Sequence, residues 1–107
     1  LVEKINETMI RHKLFLDSDL KIWDLCITMN IDRITLTKII LEEFDSDFNH
    51  FINKYRIEEA KSIIEKNKNI SFNELYRKSG FDSLQSFIKA YRKHEGVSPL
   101  LKHQFID

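Results

Sequence analysis

The sequence predicts an all-α protein of seven helices, and three observations carry that prediction. Two glycines and one proline in 107 residues are too little turn vocabulary for a many-stranded sheet. Apolar residues recur at helical spacing, most clearly at Phe48, Phe51, Ile52, Tyr55, Ala60, Ile63 and Ile64. Capping residues stand in front of several such runs, where helices would begin. With 42% hydrophobic residues the chain can bury one modest core or two small ones.

Taken in order, Leu1, Ile5, Met9 and Leu14 mark an opening helix, interrupted at Asp17, Ser18 and Asp19. Ile22, Leu25, Cys26 and Met29 mark a short second helix that stops at Asn30, a residue tolerated in the left-handed conformation. Asp32 caps a third, carried by Leu36, Ile39, Ile40 and Phe44. After Asp45, Ser46 and Asp47 the long fourth helix runs to about Lys66; its positions Lys54, Arg56, Glu58, Glu59 and Lys61 are assigned to a solvated back. Ser71 and Glu74 form a capping box for a fifth helix through Leu75 and Tyr76, which Gly80 ends. Asp82 is expected to cap the sixth, which runs to about His94 and stops at Gly96. Pro99 starts a last short helix toward Phe105.

The two short helix pairs repeat each other. Ile22, Leu25, Asn30, Ile31 and Asp32 match Phe72, Leu75, Gly80, Phe81 and Asp82 at an offset of 50; Leu36, Lys38 and Ile40 then match Phe87, Lys89 and Tyr91 at 51, after one extra residue. This gives two helix-turn-helix subdomains joined by a long linker helix, in one domain divided at 1–46, 47–67 and 68–107. Such a two-headed chain suits a linear polymer with a regular repeat, and B-DNA presents successive major-groove faces about 34 Å apart.

Charge supports that partner only through its distribution. The net charge is zero, but residues 1–50 carry 6 Lys/Arg against 10 Asp/Glu, whereas residues 51–107 carry 11 against 7. The second half therefore supplies most of any phosphate contact, and affinity should fall steeply with salt.

Enzyme chemistry finds no motif. The four histidines are scattered, and His94-Glu95 lacks the second histidine of a zinc protease. No glycine-rich phosphate loop or supported nucleophile arrangement is present, so no catalytic residue, metal or cofactor is assigned. The single cysteine, Cys26, excludes an intrachain disulfide and fits a reducing, cytoplasmic compartment. No apolar run approaches a membrane span. The chain begins at Leu1 without an initiator methionine, so it is read as a piece of a longer protein that could be anchored upstream.

At about 100° per residue, Gln85, Ser86, Lys89, Arg92 and Lys93 share one arc of the sixth helix, and Phe87, Ala90 and Tyr91 lie opposite. An amide, a hydroxyl and cations on one arc suit adenine, guanine and phosphate in the major groove. On the third helix Ile34, Thr37, Lys38 and Leu41 share the outward arc, so that face is half apolar. Ile34 either meets a thymine methyl or packs against a neighbour outside the chain.

The stretches FINKYRIEEAKSII and FNELYRKSGFDSLQSFIKAYRKHEGVSP, with DLKIWDLCITMNIDRITLTKIILEEF matching more loosely, resemble the DNA-binding domain of AraC/XylS-type transcription regulators from about Leu14 to Lys102. The resemblance implies two recognition helices in adjacent major-groove segments. It places base-facing positions at Ile34, Thr37 and Lys38 in the first, and at Leu84, Gln85, Ser86, Ile88 and Lys89 in the second. It puts backbone-contacting cations at Arg33, Arg92 and Lys93. It implies promoter duplex DNA as partner and a signal-sensing or dimerising remainder; a homodimer formed through that absent region, and RNA polymerase, are the further partners. Cys26 and Tyr76 stand where the family favours alanine, Asn30 and Asp45 where it favours glycine, and Lys102 where an aromatic closes the last helix. A helical protein-interaction module that has lost DNA contact is the alternative, motivated by Ile34, Leu41 and the neutral charge.

Overall fold

A computed structural model describes residues 1–99. It contains six α-helices among the described residues: α1 Val2–His12, α2 Ile22–Met29, α3 Arg33–Glu43, α4 Phe48–Lys66, α5 Phe72–Lys78 and α6 Leu84–Glu95. Beyond Pro99, the expected seventh helix toward Phe105, and Lys102, lie outside the described residues. Leu14 does not extend α1: Lys13 turns left-handed at φ 49°, and a single 3-10 turn, Leu14–Leu16, then carries Phe15 into the core.

Two hydrophobic clusters form along α4. The first gathers Ile5 and Met9 of α1, Phe15, Leu25 of α2, and Leu36 and Ile40 of α3 around Phe51 and Ile52. The second gathers Leu75, Phe81, Phe87, Ala90 and Tyr91 around Ile57, Ala60 and Ile64. The N-terminal half of α4 thus serves one lobe and its C-terminal half the other. Nineteen residues give a helix about 28 Å long, the spine of a molecule measuring 43 × 23 × 21 Å. Aromatic rings fix both lobes: Phe51 lies 4.8 Å from Phe44 and 5.3 Å from Tyr55, and Phe87 lies 5.5 Å from Phe81 and 5.8 Å from Tyr91.

The two helix-turn-helix turns are built alike. Ile31 N–H donates to the Cys26 carbonyl at 3.0 Å, and Phe81 N–H donates to the Tyr76 carbonyl at 2.9 Å. Both are six-to-one bonds closing a helix through a left-handed residue, Asn30 at φ 54° and Gly80 at φ 97°. Asp45 is also left-handed, at φ 51°, a cost of about 1 kcal/mol for a residue with a side chain. Tyr76 is accommodated half-buried against the second cluster, with the Arg77 guanidinium 5.4 Å from its ring. Cys26 is half-buried against the first.

The extra residue of the second copy lies in its turn. Ser83, not Asp82, is the N-cap of α6: its hydroxyl accepts from Ser86 N–H at 3.1 Å. The turn before α6 is longer than the one before α3, so the capping role passes from the position matching Asp32 to the next residue. The expected caps at Asp32 and Ser71 form, and Asp47 caps α4 as well. Asp32 Oδ1 accepts from Thr35 N–H at 3.1 Å, Asp47 Oδ1 from His50 N–H at 2.8 Å, and the Ser71 hydroxyl from Glu74 N–H at 3.2 Å.

Arg56 is a second correction. Instead of lying on a solvated back it is 7% exposed, on the same i,i+4 row of α4 as Ile52, Ala60 and Ile64. Its Nε donates to the Phe15 carbonyl at 2.7 Å, its NH2 to the Asp17 carbonyl at 2.9 Å, and its NH1 to Asn53 Oδ1 at 3.3 Å. Among the described residues these oxygens satisfy the buried cation in place of a salt bridge.

Candidate nucleic-acid interface

Each helix-turn-helix presents its second helix outward, anchored from beneath. Leu36 and Ile40 hold α3 to the first cluster, leaving Arg33, Ile34, Thr37, Lys38 and Leu41 on its exposed side. Ile34 is 82% exposed, so the apolar side chain packs on nothing in its own lobe. Asp32 orders the first turn of α3 from both carboxylate oxygens, since Oδ2 also accepts from Thr35 Oγ1 at 2.9 Å.

One residue of this face goes unnoticed in the sequence. Trp23, in the first turn of α2, is 54% exposed, and the Arg33 guanidinium lies over its ring at 4.4 Å from the centroid. That is close enough for a cation–π contact. Trp23, Arg33 and Thr37 line one cleft of about 570 Å3 with Lys21, Leu41 and Asn49. The signal was an aromatic just off the apolar period of Ile22, Leu25, Cys26 and Met29.

On α6, Phe87, Ala90 and Tyr91 are buried while Gln85, Ser86, Lys89, Arg92 and Lys93 are exposed. The split follows the helical arc, and Gln85, Ile88, Lys89 and Arg92 line a common shallow depression of about 370 Å3. Leu84 and Ile88 are half-buried and pack against the second cluster. They sit at the border between core and exposed face, and Ile88 also forms part of that depression.

Two other exposed residues of the arc also have neighbours beside it. The Ser86 hydroxyl accepts from Ser83 Oγ at 3.0 Å, and Ser86 borders a polar groove with Lys21, Asn49, Arg56 and Asp82. Lys93 turns toward a larger groove of about 750 Å3, where Asp47, His50, Lys54 and His94 meet the apolar side chains Ile10, Leu41 and Phe44. Asp47 is held below the usual carboxylate range, chiefly by the His50 backbone N–H. Burial pushes the His94 imidazole down, reinforced by His50, Lys93 and Lys54, with Glu95 opposing. Its Nε2 is buried with no hydrogen-bond partner among the described residues.

Among the described residues, no three His, Cys, Asp or Glu side chains converge as a metal site. No helix there is long and apolar enough to cross a membrane.

Comparison with solved structures finds the same architecture elsewhere. The C-terminal domain of AraT, a response regulator from Geobacillus stearothermophilus, superimposes with a TM-score of 0.77 at 25% identity, over 99% of this chain and 87% of that one. The C-terminal domain of the two-component response regulator yesN from Fusobacterium nucleatum gives 0.74 at 19% identity, over 92% and 93%. A protein of unknown function from Listeria innocua gives 0.75 at 20%, over 97% and 98%. No curated protein sequence matches the chain. Residues 25–101 match a family described as a helix-turn-helix domain. That match takes in both turns, α3 to α6 and most of α2, and with the superpositions it shows that the chain belongs to the helix-turn-helix domain family, in its AraC-type form.

Proposed function

We propose that the chain binds duplex DNA in a sequence-specific way, as the DNA-reading domain of a bacterial transcription regulator acting in the cytoplasm. The observation that carries this is the paired construction of α3 and α6. Each is the second helix of a helix-turn-helix, anchored by a buried apolar side and exposing polar and cationic side chains, and α4 joins the two units. The solved AraT domain, from a response regulator, supports the regulatory setting.

In this reading α3 and α6 enter adjacent major-groove segments. Thr37, Lys38, Gln85, Ser86 and Lys89 face base edges, Ile34 offers an apolar surface to a thymine methyl, and Arg33, Arg92 and Lys93 meet phosphate. Leu84 and Ile88 contribute at the margin of the groove through their exposed parts. Homodimerisation through a region outside this chain raises the effective concentration that a neutral domain needs, and RNA polymerase is the further partner of such a regulator.

A second reading, a helical protein-interaction module, is favoured by the groove of about 750 Å3 that exposes Ile10 and Leu41. Titration of a duplex selected from a random library, at several salt concentrations, separates the two. The wild-type chain should bind with a steep salt slope. The Lys38→Ala/Lys89→Ala variant should lose about 1–3 kcal/mol for each base contact removed, or up to about one unit of slope for each phosphate contact removed. Absence of salt-dependent binding, even in an artificially dimerised chain, sinks the DNA reading and leaves the interaction module.

A further inference from the structure

The two lobes share α4, and the 3-10 turn of the first also touches the turn of the second at one dense point. Gly80 lies so close to the first lobe that a Cβ there would stand 2.4 Å from the Phe15 carbonyl oxygen, 2.9 Å from Leu16 Cα and 3.2 Å from Arg56 Nε. Arg56 fills the junction from beneath. Two of its nitrogens hold the carbonyls of Phe15 and Asp17, which belong to the first lobe. Its guanidinium carbon also lies 5.8 Å from the ring centroid of Phe81, a core residue of the second lobe and the residue that closes the turn before α6. Asp82, displaced from the capping role, adds its charge to the Arg56 environment together with Asp17. Burial lowers the guanidinium pKa, yet arginine stays protonated in proteins, so the junction keeps its charge.

We propose that Arg56 is a positioning residue for spacing. By tying the 3-10 turn of the first lobe to the turn preceding α6, it fixes the distance and angle between α3 and α6, and so sets which separation of two half-sites the domain accepts. It touches no base. A continuous helix alone sets the order of the lobes but leaves bending and side-chain repacking as freedom. A planar group with several donors, holding two carbonyls of one lobe against a ring of the other, removes that freedom in a way lysine cannot. This inference rests on the DNA-reading function proposed above.

The test uses wild type, Arg56→Lys and Arg56→Met on two readouts. The first is binding to a duplex selected with wild type from a random library, and to the same duplex with one base pair inserted between the half-sites, which rotates one half-site by about 34°. Wild type should lose affinity on the order of tenfold or more, the equivalent of at least one base contact. Arg56→Met should lose roughly threefold or less on the insertion, whatever its affinity for the parent site, with Arg56→Lys between. The second readout needs no DNA: amide residual dipolar couplings of both lobes should fit one alignment tensor in wild type and require two in Arg56→Met. Should Arg56→Met not fold, Phe81→Leu, which removes the ring and keeps an apolar side chain, is scored the same way. A folded variant that keeps the wild-type spacing penalty and a single tensor overturns the proposal. Failure of wild type to bind any duplex overturns the DNA reading instead, and the couplings still decide the role of Arg56.

Discussion

Trp23 and Arg33 meet on the exposed side of the first lobe, and the contact can be read directly because Trp23 is the single tryptophan. The ring holds the guanidinium beside the N-terminal turn of α3, where a phosphate contact is proposed. Arg33→Ala should change the Trp23 emission in the free protein, and duplex binding should change it in wild type. In a double-mutant cycle on duplex affinity, Trp23→Ala and Arg33→Ala should be non-additive by about 0.5–1 kcal/mol, the range of an exposed cation–π pair. Additive losses would mean that the two act separately. His94 gives a second prediction. Its folded pKa lies below the usual value of about 6.5, so between the two values the unfolded chain binds a proton that the folded chain does not. Its contribution to stability is therefore complete above about pH 6.5 and declines as pH falls toward the folded pKa. Thermal melting of wild type from about pH 8 to about pH 5 should drop more steeply than that of His94→Gln. Equal slopes would assign the pH dependence to other groups. Neither feature was legible beforehand, because the sequence shows neither which aromatic a cation rests on nor which histidine of four is desolvated.

At the scale of elements, the sequence specified most of what was built. Periods of three and four placed α1 to α6, and Asp32, Asp47 and Ser71 cap where their side chains allow. The left-handed residues Asn30, Asp45 and Gly80 terminate or link helices for the reason their residue types suggest. The failure at Asp82 is instructive. Asp and Ser are both good caps and stand side by side, so composition does not choose between them; the longer turn gives the role to Ser83. Ser83→Ala should therefore cost about 1 kcal/mol in a denaturant titration, and Asp82→Ala about 0.5 kcal/mol or less. The reverse ranking would return the cap to Asp82. The exposed polar arc of α6 was legible because its apolar anchors are unambiguous, whereas Leu84 and Ile88 fall on the boundary that a 100° rotation resolves poorly. The position of Ser86 in the cap depends on the turn and so was hidden.

Across the whole molecule, size left one modest core or two small ones open, and the repeat at offsets of 50 and 51 put one unit on each side of the long helix that both clusters share. The junction between them was not. Arg56 and Phe15 are 41 positions apart, and no local pattern reports that a carbonyl of one lobe will meet a cation of α4. Its one trace in the sequence is a charge on the row of Ile52, Ala60 and Ile64, which only a strict i,i+4 count exposes. The large groove beside α3 was equally hidden, since it is assembled from α1, α3, α4 and α6 at once. The exposure of Ile34, Thr37 and Lys38 has a different consequence. Side chains that support no packing are replaced at little cost to the fold, usually within about 0.5 kcal/mol. The outer face of α3 can thus be substituted while its lobe stays intact. On α6, Leu84 and Ile88 belong partly to the core, so substitutions there should cost more stability.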